Sequence, residues 1–298
     1  MMGGMSMGSA TSFSNGGSGG PGGGGGDMGG ALSGLSGQFS VFGFKGTQKG
    51  VSGLIGYFYD IKQTNKRTPT PNFSHELYQS TMKEFTEKWD IRLLDKFYRS
   101  ETALTTPYVY VPVGPSGAAA KAFGEEKFCQ GSHWIVHYRG QAIAPKTGTF
   151  RFIGVGDNTL VVGLNDKIVL DGGNPHIVDP KMNTERNVGV AGPNWPMAAG
   201  AWFQVSSGDL MKVDILIGDT GGAFCGYVLI EEKGVKYAPR KELSDGGKFL
   251  SYPLFQVIPA PPPKEAGKGT DPDVDTKTGL IFKGTNGDKV MSSLKRDK

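Results

Sequence analysis

The chain of 298 residues holds 48 glycines, 18 prolines and a formal net charge of +4. Nineteen of the glycines fall in residues 1–50, where Asp27 is the one charge before Lys45; a run such as Pro21–Gly26 has no side chains to bury and a large backbone entropy to lose, which excludes one compact fold for the whole chain. The absence of a strict Gly-X-Y period excludes collagen, no Lys/Arg run interleaved with aromatics suggests a nucleic-acid partner, and no stretch of ~18 apolar residues spans a membrane.

Residues 1–44 read as a flexible Gly/Ser/Met linker. Order is expected from Lys45. Leu54–Asp60 is β-branched and aromatic and predicts a strand. Ser74 then suits a helix N-cap, and Tyr78, Met82, Phe85 and Trp89 recur at one helical face. Leu93, Leu94 and Phe97 extend the helical reading, so a helical insertion is expected over residues 74–99, packed on a sheet.

From Pro107 the pattern becomes strand-like. Runs follow at Tyr108–Val113, Trp134–Arg139, Thr149–Val155, Leu160–Leu164, Lys167–Leu170, Trp202–Val205, Met211–Ile217 and Ala223–Glu231. Asn165-Asp166 suits a two-residue hairpin with both residues at positive φ, and Asp219-Thr220-Gly221-Gly222 suits a four-residue hairpin. Many short strands without alternating βα units predict an all-β, mainly antiparallel β-sandwich. The domain is expected to end at Ile258, before a Pro-rich spacer and polar tail over residues 259–298.

Familiar chemical motifs fail on spacing. His133 and His137 lie on a strand-like segment, which sets them ~13 Å apart, too far to share a metal ion. Gly114–Lys121 lacks the Gly-Lys-Ser/Thr ending of a phosphate loop. Gly154-Val155-Gly156 has Thr159 where a dinucleotide fingerprint needs glycine. Asp271, Asp273 and Asp275 start like a calcium loop, but Thr276 and Phe282 occupy its glycine and glutamate positions. No Gly-x-Ser-x-Gly elbow is present, and Cys129 with His133 or His137 has no evident orienting third group. Cys129 and Cys225 allow one disulfide if the chain is exported and their Cα atoms come within ~7 Å. No enzymatic activity is expected.

One segment is distinctive: Gly148-Thr149-Phe150-Arg151-Phe152-Ile153-Gly154-Val155-Gly156-Asp157-Asn158, then Thr159–Leu164, Asn165-Asp166 and Lys167–Asp171. It resembles the central motif of the protective-antigen-type (PA-fourteen) domain family, with an acidic pair after a strand and a hairpin closing on aspartate. Gly53–Phe58, Val136–Gly140, and Ala199–Phe203 with Lys212–Ile215 are similar to flanking parts of that family, so the likeness spans Val51–Glu232. The resemblance implies a β-sandwich, often extracytoplasmic, commonly assigned to carbohydrate binding. In calcium-dependent lectin members an Asp-Asp pair joined by a cis peptide holds the ion and the sugar hydroxyls. By position Asp157 matches the first Asp, and Asn158 replaces the second, keeping an amide oxygen but losing a charge.

Two roles stay open for Asp157 and Asn158: ligands for calcium and a glycan, or Asx side chains capping the loop backbone. Trp195, in the loop-like Gly192–Pro196 stretch, offers either a platform for a sugar ring or a buried plug. The leading expectation is a non-catalytic carbohydrate-binding or adhesion module of the cell envelope, with glycans and envelope proteins as partners. The alternative is a tethered structural or protein-interaction module. Met1-Met2-Gly3-Gly4 lacks the basic and apolar regions of a signal peptide; the Gly-rich spacer suggests that Met1 is internal to a longer product bearing an upstream anchor.

Overall fold

A computed structural model describes residues 39–45, 53–175, 180–191, 195–238, 250–258, 260, 271–272, 274–275, 280–285 and 294. Most of the expected linker (1–38) and most of the expected spacer and tail lie outside the described residues.

In chain order the elements begin with β1 (Phe39–Ser40), β2 (Gly43–Lys45), β3 (Leu54–Thr64) and α1 (His75–Lys88). A 3-10 turn (Ile91–Leu94) leads to β4 (Phe97–Arg99), β5 (Leu104–Thr106), β6 (Tyr110–Pro115) and α2 (Ala118–Phe123). Next come β7 (Trp134–Ile143), β8 (Gly148–Asp157), β9 (Thr159–Leu164) and β10 (Lys167–Asp171). The series ends with β11 (Glu185–Ala191), β12 (Trp195–Ala199), β13 (Phe203–Val205), β14 (Leu210–Asp219), β15 (Ala223–Glu232) and β16 (Lys283–Gly284).

Among the described residues these form two antiparallel sheets. The first has the order β1-β2-β5-β3-β7-β14-β9-β10, with β4 also on β3 and β16 on β7. The second has the order β11-β12-β8-β15-β6, with β13 also on β8. The all-β expectation holds.

Side-chain alternation explains the layers. Phe58, Val136, Tyr138, Val213, Ile215 and Ile217 of the first sheet face Phe150, Phe152, Val228 and Ile230 of the second in one shared core. The alternate residues Ile55, Tyr57, Tyr59, Ile135, Val161 and Leu216 point the other way, toward α1. Both faces of β3 are therefore covered, which is why Leu54–Ile61 is buried without a polar face. The outer face of the second sheet carries a third cluster containing Tyr108, Tyr110, Ile153, Val155, Tyr227 and Leu229.

Helix α1 follows its sequence signals. The Ser74 hydroxyl accepts from the Leu77 amide at 3.1 Å, and Tyr78, Met82, Phe85 and Trp89 are buried. At ~1.5–3 kcal/mol for each large apolar side chain fully buried, this face holds the helix on the sheet. Trp89 ends the helix at φ +51°. The helical reading does not extend to residue 99: Leu93 and Leu94 lie in the 3-10 turn, and Phe97 pairs with Thr64 as part of β4.

Asn165 and Asp166 take φ values of +50° and +65°, as a tight hairpin between β9 and β10 requires. The expected hairpin at residues 219–222 is instead a crossing between sheets. β14 is already paired with β7 on one edge and β9 on the other, so no edge remains for β15.

The ordered fold also reaches beyond Lys45–Ile258. Phe42 and Phe44 are buried upstream, and Phe282 and Leu294 are buried downstream. β16 pairs with Ala142 and Ile143, where β7 has run past its partners in β3. The two cysteines are free thiols: Cys129 belongs to the inter-sheet core and Cys225 to the outer cluster of the second sheet, so a sheet separates them. Burial pushes the Cys129 thiol up to about 12 and holds the Cys225 thiol well above its ordinary value.

Candidate functional site

Asp157 is the last residue of β8 in the second sheet, and Asp219 is the last residue of β14 in the first. The strand ends converge because Asn158 links β8 directly to β9, and Thr159 of β9 pairs with Gly218 of β14. The Asp157–Asn158 peptide bond is cis.

Asn158 is committed on every side. Its amide donates to the Gly218 carbonyl at 3.1 Å. Its Oδ1 accepts from the Thr220 amide at 2.9 Å and the Thr220 hydroxyl at 2.6 Å. Its Nδ2 donates to Asp157 Oδ1 at 3.0 Å and to the Asn174 carbonyl at 3.4 Å. Its backbone carbonyl accepts from the Asn174 amide at 3.1 Å. Asn158 thus binds the three loops together, which is the Asx capping role, and its amide oxygen is occupied by protein donors.

Asp219 is the residue that sequence reasoning missed at this site. It is fully buried, and neither carboxylate oxygen makes a hydrogen bond of standard geometry. Burial raises its pKa, and the nearby Ser116 hydroxyl and Gly221 and Thr220 amides only partly counteract this. Ser116 is itself held by Trp134 Nε1, which donates to its hydroxyl at 2.9 Å. Asp157 is half-buried, and its pKa is pushed up to about 6, first by burial and then by the charge of Asp219. Two carboxylates taken from water with little compensation are costly in the ionised state. Read as one turn, Asp219-Thr220-Gly221-Gly222 concealed this; the signal was an acid closing the apolar run Ile215–Ile217.

The donor chemistry suits a hard cation, which takes carboxylate and carbonyl oxygens. Asp157 and Asp219 supply that chemistry, whereas the Asn158 amide oxygen does not stand free for it. Among the described residues, no group of three or more His, Cys, Asp or Glu side chains is arranged to hold a metal ion.

Trp195 begins β12 and is not in a loop; it pairs with Ala191 and is half-buried against the outer cluster of the second sheet. β12 pairs with β8 at Ala198–Gly154, and counting three residues on along each strand reaches Trp195 and Asp157. Both therefore lie toward the same end of this sheet. His133 and His137 are not brought together as a metal pair. His137 is buried on β7 with Nε2 2.7 Å from Asp214 Oδ1, while His133 precedes β7 and packs against Phe73, His75 and Tyr78.

No protein-family model and no curated protein matches the chain. Among solved structures it is similar to the PA14 sugar-binding domain of an RTX adhesin, at 16% identity over 63% of this chain and 94% of that chain, with a TM-score of 0.38. It is similar to the PA14 domain of the MpAFP antifreeze protein, at 14% identity over 66% and 86% of the two chains, with a TM-score of 0.37. The epithelial adhesin 6 A domain of Candida glabrata, solved in complex with Galb1-3GlcNAc, matches at 10% identity over 71% and 94%, with a TM-score of 0.35.

Proposed function

We propose that this chain is a non-catalytic, calcium-dependent carbohydrate-binding or adhesion module acting outside the cytoplasm at the cell envelope. The observation that carries the reading is the buried Asp219 carboxylate, without a hydrogen bond of standard geometry, beside the half-buried Asp157 carboxyl. A calcium ion would neutralise this pair and supply the positive charge that orders sugar hydroxyls. Asp157 and Asp219 would hold the ion, and Asn158 would fix their loops through Thr220 and Asn174. Trp195, half-exposed toward the same end of the second sheet, would offer an aromatic face to the sugar. The resemblance around Gly148–Asp171 supports the same ligand class.

The test combines a calcium titration by calorimetry, melting curves in chelator and in calcium, and a glycan array with and without calcium. Calcium binding by the wild type, its loss in Asp157→Asn, and calcium-dependent glycan signals reduced by Trp195→Ala are the expected results. No heat at millimolar calcium, together with no calcium-dependent rise in melting temperature, overturns the calcium reading. Glycan signals that persist in chelator would transfer binding to another surface.

A further inference from the structure

Helix α1 reaches the candidate site through one side chain. Tyr78 is fully buried in the layer between α1 and the first sheet. Its hydroxyl donates to the Trp134 carbonyl at 3.3 Å and shares a hydrogen bond with Thr159 Oγ1 at 3.0 Å. A Cβ placed on Gly218 would stand 2.5 Å from the same hydroxyl and 2.6 Å from the Trp134 carbonyl. One oxygen therefore touches the ends of three adjacent strands, β7, β9 and β14. Those ends lead directly to the site: Thr159 follows Asn158, Gly218 precedes Asp219, and Trp134 is the register partner of Asp219.

Nothing else in a helix packed on a sheet requires a hydroxyl there. The side chains of Met82, Phe85 and Trp89 in the same stripe meet the sheet through apolar contact and ring packing, Phe85 edge-on to His137 and Trp89 stacked on it. A tyrosine hydroxyl sealed from water must find partners, and Tyr78 finds them at the strand ends that carry the candidate ligands. Glycine at 218 is what leaves room for it.

We infer that Tyr78 is a positioning residue for the Asp157–Asp219 site, its hydroxyl setting the spacing between the loop of Asn158 and the loop of Asp219. The helical insertion is then part of the binding apparatus as well as a cover for the first sheet. The calcium part of this inference rests on the proposed function; the organising part rests on the hydrogen bonds alone.

The test uses the full chain with Tyr78→Phe, Thr159→Val and the double variant. Two readouts are taken: the calcium dissociation constant by calorimetry, and hydrogen exchange of the Asn158 amide, which donates to Gly218, in calcium-free protein. Each single variant is expected to weaken calcium binding about tenfold. The double variant is expected to lose little more, because both changes break one shared contact. Exchange at Asn158 should quicken while that at Val161 and Ile215, farther along the same strands, stays slow. Wild-type calcium affinity in Tyr78→Phe with unchanged exchange at Asn158 overturns the inference; so do effects that simply add in the double variant. A merely structural role would lower the melting temperature and leave the calcium constant in place, which also overturns it. If the wild type binds no calcium, the proposed function fails on its own, and exchange at Asn158 alone decides whether Tyr78 organises the loops.

Discussion

Asp219 closes a strand of one sheet and Asp157 closes a strand of the other, where burial, and after it the charge of Asp219, raises the pKa of Asp157. A sandwich end where two carboxylates meet, one fully buried and without standard hydrogen bonds, is destabilised in its ionised, calcium-free form. Asp219→Asn removes that buried charge and should therefore raise stability in chelator at pH 7 by about 1 kcal/mol or more, the scale of one unit of pKa displacement. The same variant should lose the calcium-induced rise in melting temperature. Thermal melts of both proteins with and without calcium check this. A lower melting temperature for Asp219→Asn in chelator would mean that the carboxylate is already well satisfied by the protein.

Asn158→Asp separates the two roles of this position. The new carboxylate can still accept from the Thr220 amide and hydroxyl. It loses the donor that meets Asp157 Oδ1 and sets a third charge beside the pair. In chelator the variant should melt lower than wild type. In calcium it should bind more tightly, by about tenfold or 1.4 kcal/mol, because a third negative charge beside the Asp157–Asp219 pair strengthens attraction for the cation without becoming one of its ligands. Calorimetry decides the outcome, and equal affinities would place the ion away from the Asp157–Asp219 pair.

Much of the first sheet was legible because its strands are long and apolar and its turns carry strong local signals. Asn165-Asp166 specified its hairpin, and the stripe Tyr78–Met82–Phe85–Trp89 specified the buried face of α1. The pair β11–β12 was not legible: Arg186, Asn187, Gly189 and Pro196 break any alternation, and the strands exist through pairing with each other and with β8. Helix α2 was hidden in an Ala-rich stretch weighed only as a phosphate loop. Asp157 and Asn158 stood out through their motif. Asp219 did not, since its meaning depends on a strand order that places β14 beside β9.

The outer face of the first sheet predicts a distinct acid sensitivity. His137 is sealed beneath α1, facing Asp214, Arg139 and Lys212 on its own sheet, edge-on to Phe85 and stacked on Trp89 of the helix side. Burial holds its pKa below the ordinary histidine value, with Asp214 opposing. The unfolded chain therefore takes up the proton first. The stability contributed by neutral His137 is fully present above its unfolded pKa of ~6.5 and is lost as pH falls through its lower folded value. Asp214, though raised by burial, is held down overall by His137, Arg139 and Lys212, so its contribution is lost only near and below ~4. The raised carboxyls of Asp157 and Asp219 add stability as pH falls over the same range in both proteins, so urea unfolding between pH 7 and 5 should show the wild type losing stability relative to His137→Gln. Parallel slopes for the two proteins would remove His137 as the source.

The last prediction concerns the segment beyond residue 258, whose composition suggested a polar tail. Leu280, Phe282 and Leu294 are spaced without helical or strand periodicity, so nothing local marks them as core. Yet Phe282 is fully buried, edge-on to Phe150 and tilted against Phe255 inside the inter-sheet core. The Phe282 amide donates to the Gln256 carbonyl at 3.0 Å, the Gly284 amide to the Val257 carbonyl at 2.7 Å, and the Thr285 amide to the Gln141 carbonyl at 3.0 Å. The segment thus closes the core by filling the place beside β7 that β3 leaves open. Phe282→Ala should cost about 3–5 kcal/mol, the range for emptying a buried aromatic site, and truncation before residue 271 should cost at least as much. Phe282→Ala should not alter the calcium constant of molecules that remain folded, because the segment around Phe282 pairs with Ala142 and Ile143 at the opposite end of β7 from Trp134. Chemical denaturation and calorimetry of the two variants test both halves. A truncated chain as stable as the full one would show that the arm adds no net stability to the sandwich.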